Sequence, residues 1–220
     1  MANEVDTKDC TALSDDEIAE IAELVSEAAA VHDEDWVRAE IGRWVLVSRV
    51  RESGKLNGFS MFTLERVGGT PAILIGTAVV RRNSKRGTVM RALVGEQLRR
   101  AVLAFPDEDV LYGGCLGEVG GVEAFSLFED VVPRVGYKAS GEDRAWGQRL
   151  HKRLAPSGEY AKREFRVTGA GIPNSVIDHE STKDDLEGEL LELFDGVDCS
   201  NGDCVIMFGW AMSELLEKQL

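Results

Sequence analysis

The chain has 220 residues and a formal net charge of -14, with 44% apolar and 29% charged side chains. That composition is ordinary for a globular protein, and the length allows one domain of roughly 150 residues plus an appendage. No apolar run reaches the roughly 20 residues of a membrane span, and the polar, acidic start is not a secretory leader, so a cytoplasmic location is expected.

Four cysteines, Cys10, Cys115, Cys199 and Cys204, contain no C-x-x-C pair, and only Cys199 and Cys204 are close in sequence. Zinc sites need a second pair of ligands, so no metal is expected and free thiols are the reading. Charge is unevenly spread. Residues 1–40 carry net -11, residues 178–220 carry net -10, and the middle, 41–177, carries net +7. Arg81 to Arg100 holds seven basic residues against one Glu. A field of that kind attracts phosphates or nucleic acid, unless the acidic ends fold over it.

Residues 1–13 read as a frayed polar start. Ser14-Asp-Asp-Glu17 is a capping box: a hydroxyl acceptor, then a carboxylate three residues on. Ile18, Ile21, Ala22, Val25, Ala28 and Ala29 follow at helical spacing, predicting a helix over about 14–30. Asp33 or Asp35 caps a second, shorter helix ending near Gly42. Trp44 to Val50, Phe59 to Arg66 and Ala72 to Val80 read as strands, the last apolar throughout as in a sheet's centre. A polar loop, Arg81-Arg-Asn-Ser-Lys-Arg-Gly-Thr, leads into a helix that Pro106 stops. Val110 to Gly114 reads as a fourth strand. A helix around Val122–Asp130, an extended piece from Val135, a helix over Arg144–Leu154 and a strand over Lys162–Thr168 follow. The tail holds an acidic helix from Asp184 to Phe194, with Leu186, Leu190, Leu191 and Phe194 on one stripe, and an apolar then helical end over 204–218. That stripe predicts docking in cis or on a twin subunit.

This element order resembles the GNAT family of N-acyltransferases over about 14–170. The most telling unit is Ala72 to Phe105: a buried strand, a basic loop containing Ser84-Lys-Arg-Gly87, and a helix. A second match is Phe125-Ser-Leu-Phe-Glu129 followed by Gly136-Tyr137. The resemblance implies an α/β fold with a mixed central sheet flanked by helices, a domain over 1–171 and an acidic C-terminal helical extension over 172–220. It implies acetyl-CoA or another acyl-CoA as cofactor, and an acetyl or related acyl group transferred to an amine of a small molecule or protein. The backbone of Val79 and Val80 would hold the acyl carbonyl. Arg81, Lys85, Arg86, Gly87, Thr88 and Val89 would hold the pyrophosphate at a helix N-terminus. Glu118 would serve as base and Tyr137 as acid, with Glu65 and Tyr112 as alternatives.

Two departures stand out. The family loop reads roughly Gln/Arg-x-x-Gly-x-Gly/Ala. One alignment puts Thr88 and Met90 where glycines belong, and another puts Ser84 at the Gln/Arg place and Val89 at the second glycine. Phe128 sits where the family often has a tyrosine, and phenylalanine cannot donate a proton. Two other functions therefore stay open. One is a nucleic-acid-modifying enzyme of the same fold, using the basic 81–166 region, including Arg144, Arg149, Lys152, Arg153, Lys162, Arg163 and Arg166. The other is an inactive protein-interaction module. A homodimer is a further possibility.

Overall fold

A computed structural model describes residues 4–28, 33–155, 157–169, 177–178 and 189–217. In chain order the elements are β1 (Glu4–Asp9), α1 (Asp15–Ala28), α2 (Glu34–Ile41), β2 (Leu46–Glu52), β3 (Lys55–Val67), β4 (Thr70–Val80), α3 (Arg86–Ala104) and β5 (Val110–Leu116). A 3-10 helix, Val119–Phe125, precedes β6 (Glu129–Val132), and α4 (Gly141–Leu154), β7 (Glu159–Ala161), β8 (Arg166–Thr168) and β9 (Ile177–Asp178) follow. The chain then runs through β10 (Cys204–Ala211) and α5 (Ser213–Glu217).

The strands form one mixed, mostly antiparallel sheet in the order β1-β2-β3-β4-β5-β10-β8-β7, with β6 on β10 and β9 on β4. Among the described strands, β4 alone makes parallel pairs, with β5 and with β9. Helices cover both faces. Ile18, Ile21 and Leu24 of α1, Val37 of α2 and Leu150 of α4 share one core with Phe59 and Met61. Leu93, Val94 and Leu98 of α3 and Leu216 of α5 share the other with Phe62 and Ile73. The alternation of β3 side chains between the cores is the period of two that a strand covered on both faces requires. Among the described residues no helix is long and apolar enough to cross a membrane.

The order expected from the resemblance is present from α1 to β5. The Ser14 capping box closes as read: the Ser14 amide donates to Glu17 at 2.8 Å and the Glu17 amide to the Ser14 hydroxyl at 3.3 Å. Asp33 caps α2 by accepting from the Trp36 amide at 2.9 Å.

Other expectations are corrected. From Glu4 the start is ordered: β1 pairs along its length with β2, because Thr7 and Arg49 supply polar partners at an edge with few apolar residues. The helix expected over Val122–Asp130 is a 3-10 helix ending at Phe125, followed by β6; the extended piece expected from Val135 is a turn and loop. The strand expected over Lys162–Thr168 begins only at Arg166, after a turn. The tail from 172 does not stay outside the domain. Its β10 lies between β5 and β8, where Ile206 and Phe208 enter the first core and Met207 the second. Of the acidic helix expected over Asp184–Phe194, residues 184–188 lie outside the described residues and Glu189–Phe194 is 3-10 helix. Of the apolar stripe, Phe194 packs on the second core beside Leu193, Leu190 lines a cavity and Leu191 is exposed; Leu186 lies outside the described residues.

The central irregularity is in β4. Phe62 pairs with Ile75 and Met61 with Thr77, so Gly76 is an extra residue, a β-bulge. A Cβ on Gly76 would stand 1.9 Å from Cε2 of Trp44, whose buried indole lies across the strand there. Glu40 fixes that indole by accepting from Trp44 Nε1 at 2.8 Å, and Arg43 donates to the same carboxylate at 2.7 Å. Gly76→Ala must displace the ring, and we expect a loss of about 3 kcal/mol, typical of overpacking, read by urea denaturation. Unchanged stability would show that the indole moves at no cost.

Acidic α1 lies against basic strands. Glu17 pairs with Lys8 and Arg49, and Glu20 with Arg51. Burial pushes the Glu17 carboxyl up, but Lys8, the Ser14 amide and Arg49 outweigh it and hold it at about 2, against an ordinary 4.5. The folded value lies below the unfolded one, so this stabilisation is complete above about pH 4.5 and is lost as the pH falls toward about 2. Glu17→Gln should therefore flatten the loss of stability across that window, measured by denaturant midpoints at each pH. An unchanged slope would contradict the pairing.

Candidate functional site

The bulge at Gly76 opens a fork. β4 and β5 pair in parallel from Ala72 with Leu111 to Ile75 with Gly114 and no further. Beyond the bulge β5 continues to Leu116 on β10, while the same edge of β4 turns to β9: Ala78 pairs with Ile177 and Val79 with Asp178. The opposite edge of β4 stays on β3 throughout, with Ser60 against Ala78 and Phe59 against Val79. β9 also contacts β5 and the 3-10 helix Val119–Phe125, which places it inside the fork.

A buried polar link braces the fork from the α3 side. Gln97 donates to the Ser60 hydroxyl at 2.9 Å and accepts from the Tyr112 hydroxyl at 2.9 Å. The link joins β3, α3 and β5 across β4, and a buried donor or acceptor left without its partner there would cost about 1–3 kcal/mol. It also spends the Tyr112 hydroxyl. Burial raises the Tyr112 phenol above its ordinary value, so Tyr112 is structural.

A cavity of about 470 Å³ lies between the first turns of α3 and the 3-10 helix. Gly87, Met90 and Arg91 line one wall, Val122 and Phe125 the other, and Leu190 of the tail contributes to the rim. Phe128 lines it too, stacked on Tyr112 with centroids 4.1 Å apart. The volume is in the range of small-molecule sites, and the wall is apolar apart from Arg91, Arg134 and a few polar groups. No side chain caps the N-terminus of α3 at Lys85, so that end of the helix dipole faces the loop unneutralised.

The residues expected to hold pyrophosphate divide into two groups. Arg81 is paired with Glu27 of α1 and Lys85 with Glu52 of β2, so their charges are already matched. Arg86 donates to the Asn83 carbonyl at 3.1 Å, and Arg91 donates to the Thr88 hydroxyl at 3.4 Å. A Cβ on Gly87 would meet only Arg91 Nη1, at 3.8 Å, and would take up space at the cavity wall. Val89 is buried and packs over Gly58, where a Cβ would stand 2.6 Å from Val89 Cγ1. It anchors α3 to β3 and does not line the cavity. Val79 and Val80 have buried side chains, and their backbone borders the fork.

Glu118 is exposed one residue past Gly117, at the end of β5 beside the fork, and leads into the 3-10 helix. Tyr137 does not line the cavity. Its ring lies under Arg134, a rim residue, 4.0 Å from the guanidinium, and its hydroxyl donates to Asp143 at 2.9 Å. Asp143 belongs to the capping box of α4, and its hydrogen bond holds the phenol above its ordinary value. Glu65 is bound by Arg153 at 3.0 Å. Cys115 is buried beside Cys204, which raises its thiol together with burial, so it is not poised as a nucleophile. Among the described residues no group of three or more His, Cys, Asp or Glu side chains is placed to hold a metal.

One residue escaped the sequence reading. Glu40 is a buried acid behind the bulge, and burial pushes its carboxyl up against the opposing pull of Arg43 and Trp44. Among the described residues the buried Thr77 hydroxyl of β4 has no hydrogen-bond partner, yet it lies near enough to draw the Glu40 carboxyl down as well. The one available signal was the spacing Glu40, Arg43, Trp44 at the end of a helix, which places three side chains on neighbouring positions.

No protein-family model matches the chain, and no curated protein matches it. Solved structures do. The ribosomal-protein-S18-alanine N-acetyltransferase of Escherichia coli is similar at 13% identity and a TM-score of 0.46, covering 96% of this chain and 95% of that one. ElaA of Escherichia coli is similar at 19% identity and 0.42, covering 64% and 95%. The ribosomal-protein-alanine N-acetyltransferase of Brucella melitensis biovar Abortus 2308 is similar at 20% identity and 0.37, covering 47% and 73%. These are distant likenesses, and the functional reading rests on the chain's own geometry.

Proposed function

We propose that this chain is a GNAT-type N-acyltransferase that takes its acyl group from acetyl-CoA or a related acyl-CoA and gives it to an amine. The observation that carries the reading is the fork: a bulged central strand that leaves its parallel neighbour beside an apolar cavity and an uncapped helix N-terminus. The residues present fit such a donor. The α3 N-terminus with Gly87, Arg86 and Arg91 suits a pyrophosphate, because backbone N–H groups, a missing Cβ and two guanidinium groups meet there. The apolar walls from Met90, Val122 and Phe125 suit an extended, mostly uncharged arm.

When bound, the donor would supply a thioester, whose carbonyl is open to attack by a neutral amine and whose thiolate leaves as the amide forms, the surplus proton of the attacking nitrogen passing to the sulfur. This chain's own groups would do the rest. Of the backbone amides at Val79 and Val80, which point to opposite edges of β4, the Val80 amide is the one turned from β3 toward the fork; it holds the carbonyl oxygen and favours the negative charge that develops on it. Glu118 removes a proton from the incoming ammonium group, which must be neutral to attack. Phe128 and Phe125 exclude water. Tyr137 is assigned no proton transfer, since Asp143 holds its hydroxyl; it supports Arg134 at the rim.

A second reading has one observation in its favour: β9 lies on the edge of β4 that the donor needs. A chain that kept the fold as a protein-interaction module would show the same feature. The Arg86→Glu, Gly87→Glu double variant separates the two. Calorimetry should show micromolar binding of acetyl-CoA to the natural chain and at least a tenfold loss in the variant, since two negative charges oppose a pyrophosphate. No heat from the natural chain at millimolar ligand would turn the assignment to the interaction module.

Given an amine that supports turnover, Glu118→Gln should lower kcat about 100-fold at neutral pH, the usual scale of a general base. Tyr137→Phe should leave kcat within about twofold. A tenfold fall in Tyr137→Phe with Glu118→Gln unaffected would exchange the two roles.

A further inference from the structure

β9 stands where the donor is expected to lie, and the two cannot both be there. The edge of β4 past the bulge offers one set of backbone groups, where Ala78 and Val79 lie in register with β9. Its other edge is fully used by β3. β9 takes the available edge in a parallel pairing and touches β5 and the 3-10 helix across the fork. The strand is two residues long. So short a strand gains little from its ladder alone.

Resting on the acyl-CoA reading, we propose that β9 is a tethered occupant of the donor site, which acyl-CoA must displace to bind. Its tether makes it effective. Seven residues separate β9 from Gly169 at the end of β8, and a short tether holds a segment at an effective concentration of the order of millimolar. An occupant of that kind lowers apparent affinity by the fraction of molecules in which the fork is open. Two backbone pairings, each modest in net strength, keep that fraction low but not negligible, of the order of one in ten. The arrangement gives the chain a setting: whatever captures β9 or its neighbours opens the fork.

Successive N–H groups of a strand point to opposite edges, so replacing both residues by proline removes whichever one faces β4. Ile177→Pro, Asp178→Pro in the full-length chain is expected to bind acetyl-CoA about tenfold more tightly than the natural chain, by calorimetry. A thermal midpoint within a few degrees of the natural one checks that the fold is kept. A second measurement needs no variant: hydrogen exchange on the natural chain should show the β9 amides losing protection when acetyl-CoA is added, while the start of α3 gains it. Equal affinity of the two chains, or β9 protection retained in the bound state, overturns the proposal and leaves the acyl-CoA reading standing. Binding by neither chain overturns the acyl-CoA reading, and the competition falls with it.

Discussion

The departure of β4 from β5 at Gly76 is the constraint on which the rest of the site depends. Parallel strands that pair to their ends leave no backbone for a ligand. Here one extra residue shifts the register by one against β3, and pairing with β5 stops at Ile75. The bulge is held from behind. Trp44 lies where a Cβ would be, Glu40 fixes the indole nitrogen, and Arg43 and Arg153 stand over the ring with centroid distances of 5.8 and 5.2 Å. From the other face, Gln97 ties α3 to β3 and β5. The fork is thus an irregularity braced on both sides, which keeps its backbone groups in place before any ligand arrives.

Electrostatics sets which cations are available. A net charge of -14 is a poor field for phosphate, yet the basic middle of the chain is only partly neutralised. The carboxylates of α1 pair with Lys8, Arg49, Arg51 and Arg81, and Glu52 of β2 takes Lys85. What faces the cavity is a shorter list than the sequence suggests: Arg91 on its wall, Arg134 at its rim and Arg86 beside the helix start. The basic residues further along have contacts of their own: Arg153 with Glu65, Arg149 over Trp146, Arg144 with the Ala139 carbonyl and Arg166 with the Leu193 carbonyl.

The first half of the fold was legible because its signals are local. Ser14 and Glu17 cap a helix within four residues, the apolar run Ala72 to Val80 can only be a covered strand, and Pro106 stops α3 just past its end. The second half depends on partners distant in sequence. β10 is apolar enough to read as a strand or a buried helix, and only its pairing with β5 and β8 makes it part of the sheet. β1 is polar and reads as a loose end, but β2 supplies its hydrogen bonds. For the site, the loop and α3 were visible as a basic turn before a helix. The bulge was not, since Gly76 in an apolar strand looks like any small residue until Trp44 is laid across it. The diversion of Arg81 and Lys85 was equally hidden, because Glu27 and Glu52 lie 54 and 33 positions away.

Resonance shifts in an amide nitrogen–proton spectrum, followed as acetyl-CoA is titrated in, test the central claim most directly, because they report the location of binding as well as its strength. The account predicts that the largest shifts fall at Ala78 to Val80 on the fork and at Gly87 to Arg91 at the start of α3. Shifts confined to the polar cleft of Tyr137, Lys138 and Arg163, or no shifts at saturating ligand, would contradict it.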